Sequence, residues 1–318
     1  MIWVVGAVLV VLLLGGWYGY RVSFYVPKKV EDIYLLPSGE QYDAHVEHMK
    51  DCIDRLAAMP CEQVWIRAQD GKRLHGRYYH VADGAPVQIQ FHGYRGGALR
   101  DLCGGAPLAM KLGHNVLLVD QRAHGESEGK TICFGAKERL DCQSWCRYAE
   151  DRFGTGTPLI LVGVSMGAST VLMASALELP RSVRAVMADC PYTSGREIIR
   201  LVARQTGMPG GLSAAFCALG ASIYGRFRLG DADALKAVAR TKIPILLIHG
   251  EDDRFVPCDM SRRLYAACGG DARLETFPGA AHGMSYMDDP KRYEAVVEGF
   301  LKECLGSIKK GVLHHATS

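Results

Sequence analysis

Three features of this 318-residue chain predict an α/β protein built on one doubly wound, mostly parallel sheet. Short apolar runs have the length and content of strands buried on both faces, helical patterns separate them, and a hairpin signature precedes them. The hairpin is EQVWIRAQDGKRLHGRYYHV (62–81), which alternates apolar and polar residues around Asp70-Gly71. The buried runs follow as VQIQF (87–91), NVLLVD (115–120), PLILVGV (158–164), VRAVMAD (183–189), PILLIH (244–249) and RLETF (273–277). Helical patterns lie between them at 137–152, 166–179, 258–268 and 291–305. The order implies one eight-stranded sheet flanked by helices, with right-handed crossovers. Residues 192–240 interrupt the alternation with GMPGGLSAAFCALGASIYGRF, apolar and rich in small residues, and are expected to form a short helical cap after the sixth strand. The expected organisation is an N-terminal anchor (1–26), a connecting segment (27–60) with a polar helix near 44–59, the α/β domain (61–306, cap about 192–240) and a C-terminal tail (307–318).

Composition narrows the class. Lys+Arg 37 against Asp+Glu 34 gives a net charge of +3, too balanced for a nucleic-acid binder. With 48% hydrophobic residues the chain can bury a sizeable core without staples. Eleven cysteines cannot all pair within one chain, and they form no CxxC pair or zinc spacing. They read as thiols in a reducing compartment.

The first twenty residues, MIWVVGAVLVVLLLGGWYGY, carry no charged side chain, and about 20 helical residues span a hydrocarbon core. No basic residue precedes the run and no small-residue cleavage site follows it, as a signal peptide would require. Trp17, Tyr18 and Tyr20 form an aromatic belt, followed by Arg21, Lys28 and Lys29. A single-pass anchor with the remainder on the cytoplasmic side is expected; the alternative is a buried helix of a soluble protein.

The pattern G-x-S-x-G is short enough to arise by chance, and it occurs twice, as GESEG (125–129) and GVSMG (163–167). A nucleophile elbow needs a strand running into the serine and a helix leaving it. Ser165 has PLILVGV before it and MGASTVLMASALEL after it, so the helix N-terminus aims free N–H groups at a developing oxyanion. Ser127 lacks both and sits between Glu126 and Glu128.

A serine hydroxyl needs an imidazole to take its proton and a carboxylate to hold that imidazole. His282 follows the last strand, in PGAAHGMS, at the sheet edge where Ser165 is expected. His92 and His249 stand in strand-Gly turns, where histidines commonly bond the backbone. For the acid, Glu251, Asp252 and Asp253 share one loop after a strand. Asp253 begins the turn into the next helix and is favoured, with Asp252 second and Asp189, at the end of VRAVMAD, the rival.

The segments FHGYRG (91–96), DQRAHGESEG (120–129), GVSMG (163–167), IHGEDDRFVP (248–257) and AAHGMS (280–285) resemble, in order and spacing, the α/β-hydrolase superfamily over roughly residues 60–305. Within it the chain looks most like the Bem46/serine-aminopeptidase-like (S33-type) hydrolases, often membrane-anchored. The resemblance implies the α/β-hydrolase fold, places the acid at Asp253, and assigns the oxyanion hole to the backbone N–H groups of Tyr94 and Met166. It also implies that DQRAHGESEG is a structural loop.

The expected chemistry is acyl transfer from a small-molecule or lipid ester to water through Ser165, His282 and Asp253, with no metal or organic cofactor. A peptidase or amidase is the alternative with the same residues. It calls for acidic groups in the cap, where 192–230 holds only Glu197 against Arg196, Arg200, Arg204, Arg226 and Arg228. A non-catalytic, membrane-tethered binding protein is the third reading. Oligomeric state is not legible.

Overall fold

The computed structural model describes residues 1–27, 32–36 and 38–314, with side chains up to residue 306; Lys28, Lys29 and residues 315–318 lie outside the described residues. Helix α1 (Ile2–Ser23) is followed by α2 (Glu40–Asp43), α3 (Val46–Ala58) and the hairpin β1 (Glu62–Arg67) and β2 (Arg73–Tyr79). Then come β3 (Val87–Phe91), α4 (Ala98–Asp101), α5 (Gly105–Lys111), β4 (Asn115–Val119), α6 (Glu138–Phe153), β5 (Leu159–Val164) and α7 (Met166–Ala174). Strand β6 (Val183–Asp189) leads into α8 (Gly195–Gln205), α9 (Gly210–Ile223), a 3₁₀ turn at Leu229–Asp231 and α10 (Ala234–Val238). The chain closes with β7 (Ile245–Gly250), α11 (Asp259–Ala267), β8 (Ala272–Phe277), α12 (Ser285–Asp288) and α13 (Pro290–His314).

All eight strands join one sheet in the order β1-β2-β4-β3-β5-β6-β7-β8. Only the pairs β1–β2 and β2–β4 are antiparallel. The strands read as continuous apolar runs because both faces are covered. On one face, Ile89, Phe91 and Leu161 pack with Trp145 of α6 and Leu172 of α7. On the other, Val116 and Leu118 meet Leu102 and Ile53, while Ile160 and Leu246 meet Phe300 and Leu301 of α13. Each such side chain, fully withdrawn from water, contributes about 1.5–3 kcal/mol.

The sheet agrees with the expected α/β class, and α8 to α10 form the helical cap after β6. The N-terminal region does more than the sequence indicates. The C-terminal half of α1 lies against α9, through Gly15, Gly16 and Gly19. A Cβ on Gly220 of α9 would lie 2.1 Å from the Gly16 carbonyl oxygen, so the two backbones are nearly in contact. Beyond α1, Phe24 is fully buried, with Phe134 and Phe227 packed edge-on at ring distances of 5.5 and 5.2 Å. Helix α3 likewise buries Ile53 and Leu56, so the segment expected to connect also packs. At the other end α13 continues to His314, through most of the segment expected as a tail.

Candidate active site

Strand β5 ends at Val164 and α7 begins at Met166, so Ser165 occupies the turn alone. Its φ of 55° and ψ of −113° are costly for a non-glycine residue and mark a tight elbow. The flanking glycines make the turn possible by close approach. A Cβ on Gly163 would lie 2.3 Å from the Gly167 backbone, and one on Gly167 would lie 2.1 Å from the Phe91 carbonyl oxygen.

Three loops at the C-terminal edge of the sheet converge on this turn. The Ser165 Oγ lies 2.9 Å from Nε2 of His282, and His282 Nδ1 lies 2.6 Å from Oδ2 of Asp253. Since the carboxylate can only accept, Nδ1–H donates to it and Nε2 is left to accept from the serine hydroxyl. Burial alone would raise the Asp253 carboxyl, but hydrogen bonds from His249 and His282 outweigh it and hold it down at about 2. The Phe255 and Val256 amides complete its coordination through Oδ1, at 2.9 and 2.7 Å.

His249 is a residue the sequence reading passed over. Its Nε2 is 2.8 Å from the Val256 carbonyl and 3.1 Å from Asp253 Oδ2, and its Nδ1 is 2.6 Å from Ser261 Oγ. A carbonyl cannot donate, so Nε2 carries a proton and the imidazole braces Asp253 from behind. The rival acids lie elsewhere. Asp252 is exposed, with its carbonyl receiving Gln41, and Asp189 is bonded to the Tyr293 hydroxyl. Ser127 is fully buried, donating to the Asp120 carbonyl and accepting from the His75 amide.

The loop after β3 is pinned on both sides of Tyr94. The Gly93 amide donates to Asp101, and the Arg95 amide donates to Nε2 of His124. His124 is free to accept because its Nδ1–H donates to the Arg122 carbonyl, and burial holds its pKa down at about 3, so it stays neutral. Thus DQRAHGESEG supports this loop from below. The Tyr94 and Met166 amides take no part in the loop and cap hydrogen bonds of the described residues.

Residues 74–296 match the family model described as the alpha/beta hydrolase family. This chain belongs to the alpha/beta hydrolase family. Among curated relatives, YqkD of Bacillus subtilis, itself uncharacterized, is 27% identical over 92% of this chain and 93% of its own length. Bem46 of Schizosaccharomyces pombe is 24% identical over 77% of this chain and 78% of its own, and the hydrolase is Bem46-like. An esterase of Pyrococcus furiosus superposes with a TM-score of 0.67 at 20% identity, covering 89% of this chain and 98% of that one, a likeness of fold.

Two cavities of this α/β hydrolase meet at Ser165. One, of about 500 Å³, runs under the loop after β3 and contains Gln90, Asp189 and Tyr42 of α2. Burial pushes the Asp189 carboxyl up to about 6, and its Oδ1 has no hydrogen-bond partner in the protein; nor does Oε1 of Gln90. The other, of about 700 Å³, lies between α1 and the cap. Cys190 Sγ, at 3.9 Å from His282 Nε2, shares with Asp253 and His282 a spacing within 4.8 Å that a cation could use. The donor set does not suit one: burial raises the Cys190 thiol well above its ordinary range, and Asp253 is already saturated by N–H donors.

Proposed function

We propose that this hydrolase cleaves carboxylic esters of lipophilic substrates by acyl transfer, with Ser165 as nucleophile, His282 as general base and Asp253 as the group that orients the imidazole. The observation that carries the reading is the unbroken hydrogen-bond chain from Ser165 through His282 to Asp253 at a strand–helix elbow. Ser165 attacks the substrate carbonyl as its proton passes to His282, and the Tyr94 and Met166 amides stabilise the oxyanion. The imidazolium then protonates the leaving alcohol, and a water activated by His282 releases the acid. Asp253, ionised down to about pH 2, stabilises the imidazolium throughout.

Ester is favoured over peptide because Glu197, the one acid in 192–230, is committed to Arg263 at 2.6 Å and to Thr193, leaving no carboxylate in that stretch to bind a substrate amine. The described α1 spans 22 residues and holds an 18-residue stretch of mean hydropathy 2.1, long and apolar enough to cross a bilayer. We read it as a membrane anchor, with Arg21 and the α/β domain on the cytoplasmic side.

A fluorophosphonate probe tests the assignment. Wild type is expected to label at Ser165, and Ser165→Ala not at all. His282→Ala should lose about 10⁴-fold or more in p-nitrophenyl ester turnover. Faster cleavage of aminoacyl anilides than of esters would overturn the ester reading.

A further inference from the structure

The two cavities differ in chemistry, and the difference assigns a direction to the substrate. In the larger one, the polar side chains other than Ser165 and Tyr18, whose ring is exposed at the mouth, are already engaged. Tyr94 OH donates to the Ser23 carbonyl, Tyr192 OH to the Phe134 carbonyl and Ser213 Oγ to the Pro209 carbonyl, while Ser23 Oγ faces Cys217 Sγ. What remains is hydrocarbon, from Ile199 and Val202 of α8, Phe216 of α9 and one face of α1. A chamber so lined, within the roughly 300–1,000 Å³ usual for small-molecule sites, holds an apolar chain and no group that needs a hydrogen bond. The smaller cavity instead presents the unpartnered acceptors Asp189 Oδ1 and Gln90 Oε1, which suit the alcohol side of an ester or its water.

The wall given by α1 is the unexpected part. Leu14, Tyr18 and Val22 are spaced one turn apart, so they form a single row, about 12 Å long, running from the exposed apolar stretch toward Ser165. Leu14, Tyr18, Met208 and Leu212 all line the cavity and are all exposed. The mouth is therefore apolar and opens beside the helix that is read as lying in the bilayer.

We propose that α1 is a substrate-binding element as well as an anchor: together with α8 and α9 it encloses the acyl chain of a lipid-borne ester, which enters laterally along the Leu14–Tyr18–Val22 row. This rests on the hydrolase reading above and goes beyond it by naming the acyl site and its membrane-facing wall.

The test uses the full chain in detergent micelles, with p-nitrophenyl esters from butyrate to dodecanoate. Wild type is expected to prefer octanoate or longer. Val22→Trp on α1 and Ile199→Trp on α8 narrow the chamber from opposite sides. Each should lower the dodecanoate-to-butyrate ratio of kcat/KM by about tenfold or more, because a pocket penalises every methylene it cannot hold. Leu9→Trp, exposed on the opposite face of the same helix and outside the chamber, should keep the wild-type ratio. Fluorophosphonate labelling verifies that each variant is folded, and Val22→Phe replaces Val22→Trp if the latter does not label. A preference for butyrate in wild type overturns the proposal. So does a ratio that moves with Ile199→Trp but not with either Val22 variant. Absence of both labelling and ester turnover in wild type instead overturns the hydrolase reading beneath it.

Discussion

Asp253 and Asp189 lie in neighbouring loops, and their surroundings push them in opposite directions. Asp253 is held down at about 2 although burial opposes it, so its contribution to stability is complete above about pH 4 and is lost as pH falls toward 2. Asp189 has one donor, Tyr293, and burial raises it to about 6. A raised carboxyl works the other way: its contribution is present below about pH 4 and lost as pH rises through about 6. Asp189→Asn removes that loss. Relative to wild type at the same pH, the variant should gain on the order of 1–3 kcal/mol between pH 4 and 7, read from denaturation midpoints across that range. A stability difference that does not change with pH would mean that Asp189 ionises in the folded chain as it does in the unfolded one.

At the scale of elements, the decisive contact is between α1 and α9. Gly211 and Gly220 stand on the same helix and have opposite surroundings. A Cβ at Gly211 meets nothing within 4 Å, whereas one at Gly220 lies 2.1 Å from the Gly16 carbonyl. Gly211→Ala should therefore raise stability by up to about 1 kcal/mol through helix propensity. Gly220→Ala should lower it by about 1–3 kcal/mol, because the crowding falls on backbone that cannot rotate away. Thermal unfolding in one detergent separates the two. The same contact shows what the sequence could reveal. The elements were legible because each strand is a run of apolar residues and each loop a break in it. That Ser165, His282 and Asp253 come together was legible because they stand at the ends of such runs, where a parallel sheet gathers its loops. The bracing of Asp253 by His249 was not, since an imidazole in a strand-Gly turn looks the same whether it bonds backbone or carboxylate. Nor was the seat of α1, because apolar residues around a whole helix suit lipid as well as a protein groove, and the glycines that choose between them act only against a partner far along the chain.

For the molecule as a whole, the anchor reading fixes an orientation. Arg21 follows the apolar stretch and stacks on Tyr25, 4.0 Å from its ring centroid, which sets the basic group beside the α/β domain. Expressed in a bacterial inner membrane, the domain should resist protease added to spheroplasts and be digested in inverted vesicles. The opposite pattern would put the active site on the outer side.

Phe24 closes the aromatic cluster beneath the cap, and the helix before it covers the glycine face of α9. The usual shortcut of clipping a hydrophobic leader to obtain a soluble enzyme would thus remove part of the core and bare a sticky surface next to the active site. With α1 as a wall of the acyl site, as proposed, a preparation trimmed in that way is expected to show a substrate profile different from that of the intact chain.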